Sequence, residues 1–296
     1  MPDQRLEATA VIPFGNILFP VDFSEHSRAA APFVLSLAQR YHAKVTLVNA
    51  MEPPPPIYGG MNTVYADLYD FEGVQTDRKV ALTAFAADEL PKVQTLCVVE
   101  TGSPSQVIRA LAPKADLIAM PTCGHGLVRR MVLGSTTADI LRLVTTPVWT
   151  DAHTPEPSHR AHPLPRRILV ALDLEPESNR TLEFALRLGQ DANATVEVFH
   201  STHASGEEDM SRPGSRLREA VAATADAQDL NIDQQMTEVA LMNDAASVAE
   251  RIRDQAIRTR ADLIVIGRGS IRHGLGRLFN NCYDIVRASP CPVLSV

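Results

Sequence analysis

Apolar residues come along this chain in short unbroken runs, and between the runs they recur at helical intervals. Ile17-Leu18-Phe19-Pro20-Val21 and Ile168-Leu169-Val170-Ala171-Leu172 each close on an aspartate, Asp22 and Asp173. Runs without polar alternation are what parallel strands covered on both faces require. From Pro32 to Arg40, Phe33, Leu37 and Ala38 share one helical face with Val34 beside them; Val107, Ile108 and Leu111 repeat the pattern between Ser105 and Ala112. Strands alternating with such helices predict an α/β fold, a doubly wound and mostly parallel sheet with right-handed crossovers. Met51 to Asp77 opens on Pro53-Pro54-Pro55-Pro56 and carries Gly59-Gly60, so it reads as a long surface loop passing into a helix from about Thr76. His203 to Pro213 reads as a shorter, acidic counterpart of that loop.

The pattern occurs twice. Ile17 to Asp22 and Lys44 to Asn49 are answered by Ile168 to Asp173 and Thr195 to His200. Ala115-Asp116-Leu117-Ile118-Ala119-Met120 is answered by Ala261-Asp262-Leu263-Ile264-Val265-Ile266, and Thr146-Pro147-Val148-Trp149 by Cys291-Pro292-Val293-Leu294. Asp116 and Asp262 lie 146 residues apart, and Pro147 and Pro292 lie 145 apart. A repeat of this period predicts two copies of one domain. Their expected bounds are a tail over 1–13, a first domain over 14–151, a Pro/His-rich linker over 152–165 and a second domain over 166–296. The linker's prolines favour an extended path, and none of its histidines forms an i, i+4 pair or sits beside a cysteine, which disfavours a metal tract.

Composition narrows the function. With 45% hydrophobic and 21% charged residues over 296, each copy can bury a core unaided. A net charge of -7 offers no general attraction for nucleic acid. Cys97, Cys123, Cys282 and Cys291 form no CxxC pair, so neither a zinc ribbon nor a disulfide framework is indicated, and a cytoplasmic location is expected. The first residues lack an apolar signal core, and no run approaches the ~18 apolar residues of a membrane span.

In open α/β sheets, ligands sit beyond the carboxyl ends of the strands near a topological switch point. In the first copy, Met120 is followed by Pro121-Thr122-Cys123-Gly124-His125-Gly126 and, further on, Gly134-Ser135-Thr136-Thr137. A glycine loop followed by Gly-Ser-Thr at a helix start can cradle phosphate with backbone amides and hydroxyls. It is neither a Walker A motif nor GxGxxG.

These residues resemble the universal stress protein family, whose nucleotide-binding members carry Gly-x2-Gly-x9-Gly-Ser/Thr after the fourth strand. Gly124, nine residues and Gly134-Ser135 match the second half of that motif. Asp22-Phe23-Ser24-Glu25, Gly102-Ser103-Pro104 and the terminal Pro-Val strands fit as well. The resemblance spans both copies and implies a tandem protein. Its fold would be two Rossmann-like domains of the adenine nucleotide alpha hydrolase kind, each a mostly parallel five-stranded sheet flanked by helices. It implies an ATP site in copy one, with Asp22 near the adenine and Ala50 offering backbone to it. Gly124, Gly134, Ser135 and Thr136 would hold the phosphates, with Mg2+ or Mn2+ bridging them. It also implies that Thr146 to Thr150 pairs with Cys291 to Val296 in an intramolecular pseudo-dimer; a homodimer of the chain is compatible with it.

Both copies depart from the motif. The first glycine is Pro121 in copy one, which removes an amide donor. Copy two keeps Gly267 but has Ser270 for the second glycine and Asn280-Asn281 where Gly-Ser would fall, so it is expected to bind no nucleotide and to be mainly structural. An asparagine pair could cap a helix there, and Arg268, Arg272, His273 and Arg277 leave a basic loop.

Structural roles stand beside the chemical ones. Asp22 with Glu25 is also a capping-box-like pair, Ser135 is also a plausible N-cap, and the loop glycines also suit a tight turn. Cys123, Cys282, Cys291 and Trp149 suit packing. No GxSxG, HExxH or paired-carboxylate constellation occurs, so at most slow ATP hydrolysis is expected. The leading expectation is a stress-response module that binds adenine nucleotide and answers to a protein partner, with no role for nucleic acid or membrane. The alternative is a nucleotide-independent scaffold disabled at Pro121. An ATP-activating transferase or ligase is disfavoured by the lack of HxGH and SGGxDS patterns.

Overall fold

The computed structural model describes residues 14–52, 70–122, 133–152, 164–173, 178–202, 207–227, 237–241, 247–268 and 277–296. They divide into two compact units, Phe14–Thr150 and the chain from Asp151 through Val296. In the first, β1 (Asn16–Pro20), α1 (Glu25–Tyr41), β2 (Lys44–Met51), α2 (Phe71–Glu89), β3 (Thr95–Thr101), α3 (Pro104–Leu111), β4 (Leu117–Met120), α4 (Ser135–Leu143) and β5 (Val148–Thr150) follow in order. The strands lie as β3-β2-β1-β4-β5, all parallel. The chain therefore steps outward from β1 to β3, returns to β4 and steps the other way. With right-handed crossovers, that reversal puts α1 and α2 on one face and α3 and α4 on the other. The helix pairs pack accordingly, α1 on α2 and α3 on α4.

The second unit repeats this with β6 (Arg167–Ala171), α5 (Ser178–Ala192), β7 (Thr195–Thr202), α6 (Glu207–Ala227), β8 (Thr237–Leu241), α7 (Val248–Thr259), β9 (Leu263–Ile266), α8 (Arg277–Ala288) and β10 (Val293–Ser295). Its strand order is β8-β7-β6-β9-β10, again parallel. The fold is thus α/β, with two doubly wound, parallel sheets of five described strands each.

The repetition extends to single hydrogen bonds. The Asp116 carboxylate accepts from the Asn16 amide at 2.8 Å, and the Asp262 carboxylate from the amides of Arg166 and Arg167 at 2.9 and 3.0 Å. Each aspartate so pins the start of its unit's central strand. His42 and Asn193, at φ 52° in both cases, end α1 and α5 in the left-handed conformation. The central strands β1, β4, β6 and β9 are buried through their middles, with Ile17, Phe19, Ile118, Leu169 and Ile264 at 1% exposure or less, whereas the outer strand β3 is mostly half-buried or exposed. Phe33 of α1 stacks on Trp149 of β5 with ring centroids 3.8 Å apart.

Three element boundaries differ from expectation. α1 begins at Glu25 and runs through Pro32, because Ser24 caps it and the first turn is polar. α2 begins at Phe71 rather than near Thr76: Asp70 accepts the Gly73 amide at 2.8 Å, and a Cβ at Gly73 would lie 2.0 Å from Asp70 Oδ2. In copy two the supposed loop ending at Pro213 is helical from Glu207 onward. Residues 53–69 and 153–163, which hold most of the expected long loop and linker, lie outside the described residues.

Removing the Asp116 carboxylate leaves the first residue of β1 without its acceptor. Asp116→Ala should lower the stability of this half by about 1 kcal/mol. Trp149, the sole tryptophan, lies in the same half and reports its urea unfolding. An unchanged midpoint would show that β1 does not need the anchor.

Candidate functional site

The direction reverses between β1 and β4, so their carboxyl ends bound the crevice of the first unit. β1 leaves the sheet at Val21, whose amide donates to the Val48 carbonyl at 2.8 Å. Pro20 pairs with Val48, so Asp22 follows the last paired residue of β1 by two positions and Ala50 follows its partner on β2 by two. Ala50 is half-buried within β2 and pairs with Glu100 on its other side.

Asp22 is held firmly. Its Oδ1 accepts from the Ser24 amide at 3.0 Å and from the hydroxyls of Ser24 and Ser27, both at 2.6 Å. Three donors on one oxygen match an ionised carboxylate, which accepts only. Ser24 is the N-cap of α1, accepting the Ser27 amide at 3.2 Å, so the pairing of Asp22 with Glu25 as a capping box is not what forms. Between them Phe23 sits at φ 64°, a left-handed conformation costly for a bulky residue. Its ring meets Phe85 of α2 edge-on, with centroids 6.4 Å apart. The Arg28 guanidinium lies over Phe85 and pairs with Glu89 at 2.8 Å.

On the β4 side, Pro121 and Thr122 are tied to the start of α4. The Thr137 hydroxyl donates to the Pro121 carbonyl at 3.0 Å, and the Gly134 amide donates to the Thr122 carbonyl at 2.9 Å. Gly134 is the N-cap, at φ -57° and ψ 142°, with no side chain closing the first turn. Ser135 is therefore the first helical residue rather than the cap. Ser135 is exposed and Thr136 half-buried. The Gly134 amide is spent inside the protein, so the donors left at this helix start belong to the residues after it. Gly124, with Cys123, His125 and Arg129, lies outside the described residues. The structure thus places Asp22 just past β1 and Ala50 near the end of the neighbouring β2, and sets Gly134, Ser135 and Thr136 at the start of α4.

Sequence reasoning passed over Ser24, Ser27, Asn49 and Arg78. The Asn49 side-chain amide, in a residue only 3% exposed, donates to the Val21 carbonyl at 2.7 Å, and Arg78 Nη1 donates to Asn49 Oδ1 at 2.9 Å. The signal for Ser27 and for the position of Asn49 was the repeat itself. In copy two the Ser178 hydroxyl donates to Asp173 Oδ1, the Leu172 amide bonds the Phe199 carbonyl at 2.9 Å, and His200 Nδ1 lies 2.8 Å from the Leu172 carbonyl. All stand 151 residues beyond their counterparts.

The phosphate side is where the copies part. Asn280 and Asn281 occupy the Gly134 and Ser135 positions, yet α8 already begins at Arg277. The pair therefore lies inside the helix and does not cap it. Four extra residues carry the helix start about 6 Å further back. Gly267 has a packing role in this copy, since a Cβ there would approach Thr181 Oγ1 to 2.8 Å.

Comparison with known proteins agrees with this architecture. The universal stress protein family pattern matches residues 13–150 and 165–296. The chain belongs to the universal stress protein family. A universal stress protein of Thermus aquaticus is 32% identical over 137 residues, which is 46% of this chain and 96% of that one. A solved universal stress protein from Archaeoglobus fulgidus DSM 4304 is 16% identical and covers 96% of this chain and 97% of its own, with a TM-score of 0.68. A universal stress protein solved in complex with cAMP is 20% identical over 45% of this chain and 97% of its own, with a TM-score of 0.37.

No helix among the described residues is long and apolar enough to cross a membrane. Cys282 and Cys291 are core residues. Burial pushes the Cys282 thiol up to about 11 against the pull of Arg268, and the Cys291 thiol up to about 12 against its hydrogen bond with Ser289. A raised thiol holds its proton more tightly when folded, so its stabilisation is complete below the unfolded value of 9.0 and is lost as pH rises from there. Urea unfolding followed by circular dichroism should show stability falling between pH 8 and pH 10, and Cys282→Ala should make that fall shallower; an equal slope in both proteins would count against a buried thiol.

Proposed function

We propose that the first copy binds an adenine nucleotide, with ATP accompanied by Mg2+ or Mn2+ as the leading candidate. In this reading occupancy changes how the protein meets a partner in a stress response, and copy two is mainly structural. The observation that carries it is the start of α4: an uncapped first turn bearing Ser135 and Thr136 at the carboxyl end of β4, where copy two has extra helix. Helix amides and hydroxyls in this place suit phosphate oxygens. Asp22 and Ala50, at the neighbouring strand ends, would face the nucleoside. No three or more His, Cys, Asp or Glu among the described residues gather to hold a metal. The donors here are hydroxyls, which fit a magnesium-like cation that arrives with its nucleotide and keeps water and phosphate as ligands. Turnover is no part of the proposal.

The scaffold reading has support of its own, since Pro121 offers no amide and its carbonyl, like the Gly134 amide, already has a partner. Calorimetric titration with MgATP separates the two. The intact protein should take up about one equivalent and Gly134→Asp none. Aspartate is a favoured N-cap at these dihedrals, so the variant keeps the helix while its charge repels phosphate. Two equivalents would restore a site to copy two. No heat with ATP, ADP or AMP would leave the scaffold.

A further inference from the structure

The peptide unit joining Val21 to Asp22 is gripped from both sides. Its carbonyl accepts from Asn49 Nδ2 at 2.7 Å, and its amide reaches Ser27 Oγ at 3.3 Å. Asparagine is ambiguous in such a place, because turning its amide over would set Oδ1 against the Val21 carbonyl. Arg78 removes the ambiguity. A guanidinium only donates, so facing it the amide must present Oδ1 and send Nδ2 to Val21. The cationic donor also polarises the amide and strengthens the bond beyond it. Arg78 is half-buried, and among the described residues it forms no ion pair. In copy two, the equivalent carbonyl is met by His200, which among the described residues has no arginine behind it. An imidazole that donates from Nδ1 has no second orientation to be excluded at that atom.

We infer that Arg78 is a positioning residue for the nucleotide pocket: acting through Asn49, it fixes the peptide plane that aims Asp22. The inference rests on the nucleotide reading for its consequence, while the relay itself can be tested without ligand. The comparison is between wild type, Arg78→Met, which keeps the apolar stem, and Arg78→Lys, which keeps a cationic donor. In assigned 15N–1H spectra without nucleotide, Arg78→Met should move the Asn49 side-chain amide pair and the Asp22 backbone amide, and Arg78→Lys should return both toward wild type. In MgATP calorimetry, Arg78→Met should weaken binding about tenfold and Arg78→Lys about twofold or less. A residue that merely anchors α2 would alter urea stability in the variants and leave the Asp22 amide in place. An unmoved Asp22 amide overturns the inference whatever the nucleotide does. A moved amide with unchanged affinity overturns its bearing on the pocket. If wild type takes up no MgATP, the nucleotide reading falls instead, and the amide shift alone decides whether Arg78 orients the turn.

Discussion

Parallel pairing is the constraint from which the rest of each unit follows. A parallel strand cannot turn straight back on its neighbour, so each connection must cross over the sheet, and the crossing helices cover both faces. That is why the central strand sequences are apolar without alternation and why their middles are sealed. Polar chemistry is then confined to the strand ends. At the amino ends it takes the form of Asp116 and Asp262, each holding the first residues of a central strand. At the carboxyl ends it gathers in the turns after β1 and β4, beside the reversal of strand order where ligands sit in open α/β sheets.

The two copies share some parts of that end and differ in others. The clamp on the aspartate and the donor to the preceding carbonyl recur 151 residues apart, although asparagine has become histidine. A feature kept in both copies, one of which has lost its Gly-Ser, answers first to the strand end itself. What differs is the last helix, which begins at Ser135 in one copy and at Arg277 in the other. The additional turn fills with ordered backbone the position where amides would otherwise point at an anion.

Fold class, repeat and strand positions were legible in the sequence because burial on both faces writes itself as uninterrupted Val, Ile and Leu. Helix starts were less so. Pro32 drew attention away from Ser24, and the proline run before Gly59 obscured the Asp70 cap. Asp22 and Ala50 could be named from family likeness, but the groups around Asp22 could not, since Ser27 reaches its carboxylate from the first turn of α1 and Asn49 reaches the preceding Val21 carbonyl from the next strand. Arg78 was the least visible. A lone arginine on an amphipathic helix carries no pattern until the register of β2 is known.

Phe23 gives the turn after β1 a mechanical property. A phenylalanine held at positive φ stores energy in the backbone, and the opposing gain lies on another element, where its ring meets Phe85 beneath Arg28. Strain and relief are thus separated by about sixty residues of chain. The strained turn after β1 thus draws its compensating contact from α2, an element that the chain reaches only after β2.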